Sequence, residues 1–156
     1  MNRRAKKSFF AALFISVWAF WACAQTLPES RVGRVIDGDT FVLQSGEVIR
    51  LIGVDTPEYQ PWKNHVQHFG REARDFSVQL LKGHAVRLEK DVEPLDKYGR
   101  TLAYVYLEDG SFVNLLLVQE GFARAKSFPP NDRYRELFKN AQQRARRSKK
   151  GLWAKP

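Results

Sequence analysis

Three short stretches of the chain combine carboxylates and arginines at a spacing that suits phosphodiester chemistry. They are Asp-Gly-Asp-Thr at 37–40, Arg-Leu-Ile-Gly-Val-Asp-Thr-Pro-Glu at 50–58 and Asp-Lys-Tyr-Gly-Arg at 96–100. Carboxylate and carbonyl oxygens bind hard divalent cations, and guanidinium groups match the geometry of a phosphate. These residue types could hold a cation beside a phosphodiester and neutralise the charge that develops as the bond is cleaved.

Asp39 and Asp55 are the first candidates for cation ligands. They flank two predicted strands joined by a tight turn, so a hairpin would bring them face to face within a slip of one or two residues. Two carboxylates that close repel each other unless they are protonated or bridged by a cation. Oxygen ligands favour calcium over zinc, with magnesium left open, and the Thr56 carbonyl could complete the shell. Taken singly, each motif could instead be an ordinary turn or strand exit.

Glu58, Arg50 and Arg100 are the candidates for direct chemistry. The proline before Glu58 turns the chain, which brings this carboxylate back toward the two aspartates. Arg50 lies in an apolar strand, where its cation needs an anionic partner, either a phosphate or a core carboxylate. Strict alternation puts Arg50 and Asp55 on opposite faces unless the strand bends or bulges at Gly53. Arg100 stands at the mouth of a strand, directed into a cleft or simply exposed.

Hydrophobic patterning predicts the elements that must position these side chains. The expected strands are 32–36, 40–44, 48–54, 84–89 and 100–107, and the expected helices are 71–81, 113–119 and 133–149. Leu102, Tyr104 and Tyr106 should share one strand face, and Leu137 should belong to the buried stripe of the last helix. We therefore predict a small α+β domain, a partly open five-stranded barrel with three helices packed outside.

The first 24 residues are typical of a secretory signal peptide. A basic start precedes an apolar run, and Ala-Cys-Ala at 22–24 fits a cleavage site, so we expect a mature domain at 25–156 that is secreted or periplasmic and not inserted in a membrane. Cys23 leaves a lipid anchor open as an alternative. Because Cys23 is the only cysteine, the mature domain should lack disulfides and cysteine metal sites.

The charge of the chain favours a polyanionic partner. Its formal net charge is +9, and it stays basic without the first 24 residues. Lys63, Lys97 and Lys126 each lie near a predicted active-site loop and are candidates for guiding such a substrate. Nothing in the sequence requires an oligomer, so we expect a monomer.

The three motifs, in this order and spacing, resemble those of the staphylococcal (micrococcal) nuclease family over residues 31–153. Phe-Gly-Arg-Glu-Ala at 69–73 and Leu-Ala-Tyr at 102–104 strengthen the resemblance. It implies an OB-fold barrel with three helices. It also implies a calcium-dependent endonuclease that cleaves DNA and RNA with little sequence preference and leaves 3′-phosphate ends.

The resemblance also implies a role for each matching residue. These roles are calcium ligation by Asp39, Asp55 and the Thr56 carbonyl, activation of water by Glu58 as general base, stabilisation of the transition state by Arg50 and Arg100, and contact with a terminal phosphate by Tyr98. Loss of either guanidinium should then slow turnover by orders of magnitude and leave the fold intact.

One loop departs from the family and bears on the substrate. Lys-Ser-Phe-Pro-Pro at 126–130 replaces tyrosines that stack on a base, although Phe128 could still stack. The alternative class is a non-catalytic module of the same fold that binds nucleic acid or protein. Such a copy is expected to lose carboxylates or arginines, whereas this chain keeps all five.

Overall fold

Five strands close a barrel in the computed structural model, which describes residues 30–154. The strands of this region are β1 (Ser30–Asp37), β2 (Thr40–Leu43), β3 (Val48–Leu51), β4 (Val54–Asp55), β5 (Tyr59–Gln60), β6 (His65–Val66), β7 (Ala85–Glu89), β8 (Thr101–Leu107) and β9 (Arg124–Ala125). Its helices are α1 (Gly70–Leu81), α2 (Val113–Gln119) and α3 (Arg135–Arg147), with 3₁₀ turns at Pro61–Lys63 and Gly151–Trp153.

The barrel order is β1-β2-β3-β8-β7, and β1 returns to pair with β7. The β3–β8 pair is parallel and the other barrel pairs are antiparallel. The predicted five-stranded barrel with three helices is confirmed. The barrel is closed where a partly open one was expected, because Ser30 and Arg31 extend β1 far enough to reach Val86 and Ala85.

Two apolar clusters hold the elements together. The larger fills the barrel and the space under α1 and α2, with Phe41, Ile49 and Leu51 almost fully buried. The smaller lies between the barrel and α3, where Tyr104 packs against Phe138 and neighbouring aromatic rings. The three residues predicted to share a face of β8, Leu102, Tyr104 and Tyr106, do meet in this second cluster.

The structure corrects two local predictions and adds one hairpin. β3 ends at Leu51 rather than at residue 54, because the chain reverses at the next two residues. Leu137 is 38% exposed, since α3 turns the face that carries Phe138 toward the barrel. Residues 59–66 form the β5–β6 hairpin, which the polar sequence did not reveal.

Asn114, at the start of α2, ties this helix to the barrel and to the turn after β3. It is fully buried, and its amide nitrogen donates to the carbonyls of Ile52 (2.9 Å) and Ala103 (3.3 Å). Its amide oxygen accepts from the backbone N–H of Val105 at 2.9 Å. A single side chain therefore satisfies backbone groups in two separate segments.

We expect Asn114→Ala to lower the free energy of unfolding by about 2 to 4 kcal/mol, because it leaves buried backbone groups without partners. Urea denaturation followed by circular dichroism would measure the loss. Asn140→Ala is the matched control, since Asn140 is an exposed amide on α3. Equal midpoints for the two variants would contradict the bridging role.

Candidate active site

Charged side chains from four segments form a row beside the barrel. Arg50 of β3 lies between two aspartates, with Nη2 3.0 Å from Asp39 Oδ2 and 3.4 Å from Asp55 Oδ1. Lys126, just after β9, continues the row with its Nζ 2.8 Å from the same Asp55 oxygen. The charges therefore alternate along the row, which lowers the repulsion between the carboxylates.

Asp39 and Asp55 meet for a different reason from the one predicted. The β2–β3 register pairs Thr40 with Arg50, and the Leu51 N–H donates to the Asp39 carbonyl at 3.0 Å, so the hairpin places Asp39 opposite Leu51. The predicted facing of Asp39 and Asp55 across the hairpin is therefore wrong. The chain instead reverses at Gly53 and returns as β4, which carries Asp55 back to Arg50.

Gly53 makes this reversal possible. Its φ of +79° lies in the left-handed region, which side chains rarely adopt. A Cβ at this position would also overlap the ring of Phe138. The bend at Gly53, which the sequence left open, is what puts Arg50 and Asp55 together.

Arg50 is the central residue of the row. The residue is only 6% exposed, and its Nη1 donates to the carbonyls of Leu51 (2.7 Å) and Val54 (3.0 Å). The anionic partners that its burial requires are Asp39 and Asp55. The guanidinium therefore fastens the bend after β3 as well as neutralising the two carboxylates.

Thr56 lies against the carboxylate of Asp39. The Thr56 N–H donates to Asp39 Oδ2 at 3.0 Å, and the buried Thr56 hydroxyl has no hydrogen-bond partner within residues 30–154. That part of the chain holds no cluster of three or more His, Cys, Asp or Glu side chains arranged for a metal. A cation held by Asp39 and Asp55 would complete its shell with backbone carbonyls and water, as calcium and magnesium do and zinc does not.

Asp37 is a functional candidate that the sequence did not single out. The N–H groups of Gly38 and Tyr59 donate to its carboxyl group at 2.9 and 3.2 Å. Burial, a hydrogen bond with the Glu58 carboxyl and the negative charges of Asp39 and Glu58 together raise the pKa of Asp37 to about 7. The only signal in the sequence was its place in the same turn as Asp39.

Glu58 is held by the β5–β6 hairpin and by α1. Its N–H donates to the Gln67 side chain at 3.2 Å, and its carbonyl accepts from the Gln67 N–H at 2.9 Å. The amide of Gln60 donates to the Glu58 carboxylate at 2.7 Å. A Cβ on Gly70, the first residue of α1, would overlap the Glu58 carbonyl, so the helix begins directly against this segment.

Arg100 belongs to a tight loop organised by Asp96. The Asp96 carboxylate accepts from the N–H groups of Tyr98 (2.9 Å) and Arg100 (3.0 Å), and Arg100 Nε lies 2.7 Å from its second oxygen. Burial acts to raise the pKa of Asp96, but the hydrogen bonds from Arg100 and Tyr98 outweigh it and hold this pKa below its usual value. The loop therefore fixes the guanidinium near the start of β8, the strand that pairs with β3.

Lys97 and Tyr98 lie on the surface of this loop. Tyr98 is 72% exposed, with Lys97 Nζ 5.0 Å and Arg100 Cζ 5.5 Å from its ring centre. No hydrogen bond or ion pair joins the loop to Asp39 or Asp55 in the described part of the chain. The structure thus shows two groups of predicted site residues, one around Arg50 and one around Asp96.

Phe128 is half-buried beside the first group. It packs against the cluster that contains Ile52 and Leu102, and its ring centre lies 5.3 Å from Arg50 Cζ and 5.8 Å from Lys126 Nζ. Asp132 accepts from the Phe128 N–H at 3.0 Å and so holds this loop in place. The ring is therefore placed over two cations.

Comparisons with known proteins agree with the motifs. The family model of staphylococcal nuclease homologues matches residues 48–155. A thermonuclease of Staphylococcus intermedius is 50% identical over 125 residues, which cover 78% of this chain and 74% of the relative. A thermonuclease of Staphylococcus hyicus is 46% identical over 127 residues, which cover 80% of this chain and 75% of the relative.

A third relative comes from another genus. The endonuclease YncB of Bacillus subtilis is 39% identical over 127 residues, which cover 78% of this chain and 60% of the relative. The relatives, the family model and the barrel with three helices confirm the resemblance found in the motifs. The chain therefore belongs to the staphylococcal nuclease family and is a nuclease, a hydrolase of phosphodiester bonds.

Proposed function

We propose that this nuclease is an exported, calcium-dependent endonuclease that cleaves DNA and RNA with little sequence preference and leaves 3′-phosphate ends. The observation that carries the proposal is the pair of carboxylates of Asp39 and Asp55, held together by a buried Arg50 and next to Thr56, whose N–H donates to Asp39. A non-catalytic copy of the fold is expected to lose carboxylates or arginines of the motifs, whereas this chain keeps all of them.

Asp39, Asp55 and the Thr56 carbonyl are the proposed calcium ligands. All three offer hard oxygen atoms, and Arg50 already keeps the two carboxylates close. A bound calcium ion would supply positive charge next to the scissile phosphate. Magnesium would meet the same ligands but demands a stricter octahedral geometry.

Glu58 is the proposed general base, and the two arginines the proposed phosphate ligands. Glu58 would take a proton from water as the water oxygen attacks phosphorus, and the 5′ oxygen would leave and take a proton from the solvent. Arg100 has a side chain that is 31% exposed, so it can turn toward a phosphate more readily than the buried Arg50. The guanidinium groups of Arg50 and Arg100 would stabilise the extra negative charge of the phosphorane.

Lys97, Tyr98 and Phe128 are the proposed substrate contacts. The exposed ring of Tyr98 and the ammonium of Lys97 lie together on the Asp96 loop, where they can meet a terminal phosphate. Phe128 supplies a ring that can stack on a base, flanked by cations. We propose DNA and RNA as substrates and a monomer as the active form.

Export remains part of the proposal. The signal peptide at 1–24, the cleavage after Ala24 and the alternative lipid anchor at Cys23 all lie outside the described residues. From residue 30 to residue 154, no helix has the length and apolar character needed to cross a membrane. Mass spectrometry of the mature N-terminus would distinguish a chain that begins at Gln25 from one with a lipid on Cys23.

The test of the activity is cleavage of single-stranded DNA, duplex DNA and RNA by the purified exported protein. We expect degradation of all three in calcium, none in chelator and little in magnesium, with 3′-phosphate ends that a 3′-phosphatase makes extendable by a polymerase. Binding without cleavage under every metal would place the protein in the non-catalytic class. Cleavage in chelator would exclude the proposed calcium site.

A further inference from the structure

Lys126 makes a contact that its proposed role in guiding substrate does not explain. Its Nζ lies 2.8 Å from Asp55 Oδ1, the oxygen that also accepts from Arg50 at 3.4 Å. Two residues 71 positions apart in the chain thus form a close ion pair at a proposed calcium ligand. Its side chain is 51% exposed, and that of Asp55 is 39% exposed.

The backbone around Lys126 fixes this pair. β9 pairs with β4 so that Ala125 lies opposite Val54, and the Lys126 N–H donates to the Gly53 carbonyl at 2.9 Å. The Ala125 N–H in turn donates to the Gln142 side chain of α3 at 2.9 Å. The base of the Lys126 side chain therefore has one position, and only its flexible stem can swing away from Asp55.

Charge repulsion makes the ammonium and a divalent cation compete for Asp55. A cation bound by Asp39 and Asp55 would share the Asp55 carboxylate with Lys126 Nζ, so two positive charges would lie on one group and repel each other. Arg50 is buried and bound to two carbonyls, so it cannot leave, whereas half of the Lys126 side chain is in solvent. Lys126 is therefore the cation that moves.

We propose that Lys126 is a displaceable counter-cation of Asp55, which a divalent cation must remove in order to bind. This inference rests on the proposed calcium site, and it assigns a new role to a residue outside the ligand set. Lys126 neutralises Asp55 when no calcium is bound, and for the same reason it lowers the affinity of the site for calcium.

Calorimetric titration of the full chain with calcium tests the proposal. Lys126→Met should lower the dissociation constant for calcium by about two- to fivefold, which corresponds to the strength of an exposed ion pair. Lys126→Arg keeps the charge and should bind calcium about as weakly as the wild type. Lys139→Met is the matched control, because Lys139 also forms an exposed pair, with Glu136, but lies on α3.

Thermal unfolding gives a second readout that does not depend on activity. In chelator, Lys126→Met should unfold about 1 to 4 °C below the wild type, because Asp55 loses a partner, and calcium should raise its midpoint more than it raises that of the wild type. A calcium affinity equal to that of Lys139→Met would overturn the inference and leave the calcium site standing. If the wild type shows neither a heat of calcium binding nor a rise of its unfolding midpoint in calcium, both the Lys126 inference and the proposed calcium site are wrong.

Discussion

Replacing Glu58 with glutamine should reduce the turnover number by about 10² to 10⁴, because an amide cannot take a proton from the attacking water. The fold should survive. Gln60 can donate to the new amide oxygen as it does to the carboxylate, and the change removes a negative charge next to Asp37. We therefore expect a variant at least as stable as the wild type whose defect lies in kcat and not in calcium binding. Single-turnover cleavage of a labelled oligonucleotide at saturating calcium would measure it.

The matched control for this variant is Glu72→Gln. Glu72 is an exposed carboxylate in the first turn of α1, close in sequence to the segment that holds Glu58. The control should keep wild-type turnover and wild-type calcium affinity. A Glu58→Gln enzyme that retained more than a tenth of wild-type turnover would show that another group, or the solvent, takes the proton.

Most of the barrel could be predicted because its signals are local. Alternation of apolar residues marked β8, and apolar residues at helical spacing marked α1. Closure of the barrel was not visible in the sequence, because it depends on whether Ser30 and Arg31 reach β7. Pairing between strands distant in the chain leaves no local pattern.

The sequence singled out candidate site residues, but it did not show how Asp39, Arg50 and Asp55 come together. The sequence suggested that the β2–β3 hairpin places Asp39 opposite Asp55, and the register that pairs Thr40 with Arg50 rules out this facing. Gly53 was the one local hint of the actual bend, since glycine is the residue that favours a positive φ. Asp37 and Lys126 were harder to place, because their importance comes from contacts with Glu58 and Asp55 that only the folded chain creates.

Replacing Arg50 or Arg100 with alanine should have similar effects on turnover but different effects on the stability of the fold. Alanine at either position should reduce the turnover number by about 10² to 10³, the usual effect of losing one preorganised contact to a developing negative charge. The sequence alone suggested that both variants would keep the fold intact. The structure supports that expectation for Arg100, because its carboxylate partner Asp96 keeps its hydrogen bonds to the backbone of Tyr98 and Arg100. We expect Arg100→Ala to cost no more than about 1 kcal/mol of stability.

Arg50→Ala should unfold far more easily in the absence of calcium. It removes the partner of the buried Asp39 carboxylate and two hydrogen bonds to the bend after β3, a change that typically costs about 3 to 5 kcal/mol. Because Asp55 keeps Lys126, we expect the low end of that range. Calcium neutralises the same carboxylates, and at a hundredfold excess over its dissociation constant it restores about 2.7 kcal/mol. Urea unfolding should therefore show a large loss for Arg50→Ala in chelator, and calcium should return the variant most of the way to the stability of the calcium-free wild type. Equal stability of the two arginine variants in chelator would mean that Arg50 does not hold the aspartates together.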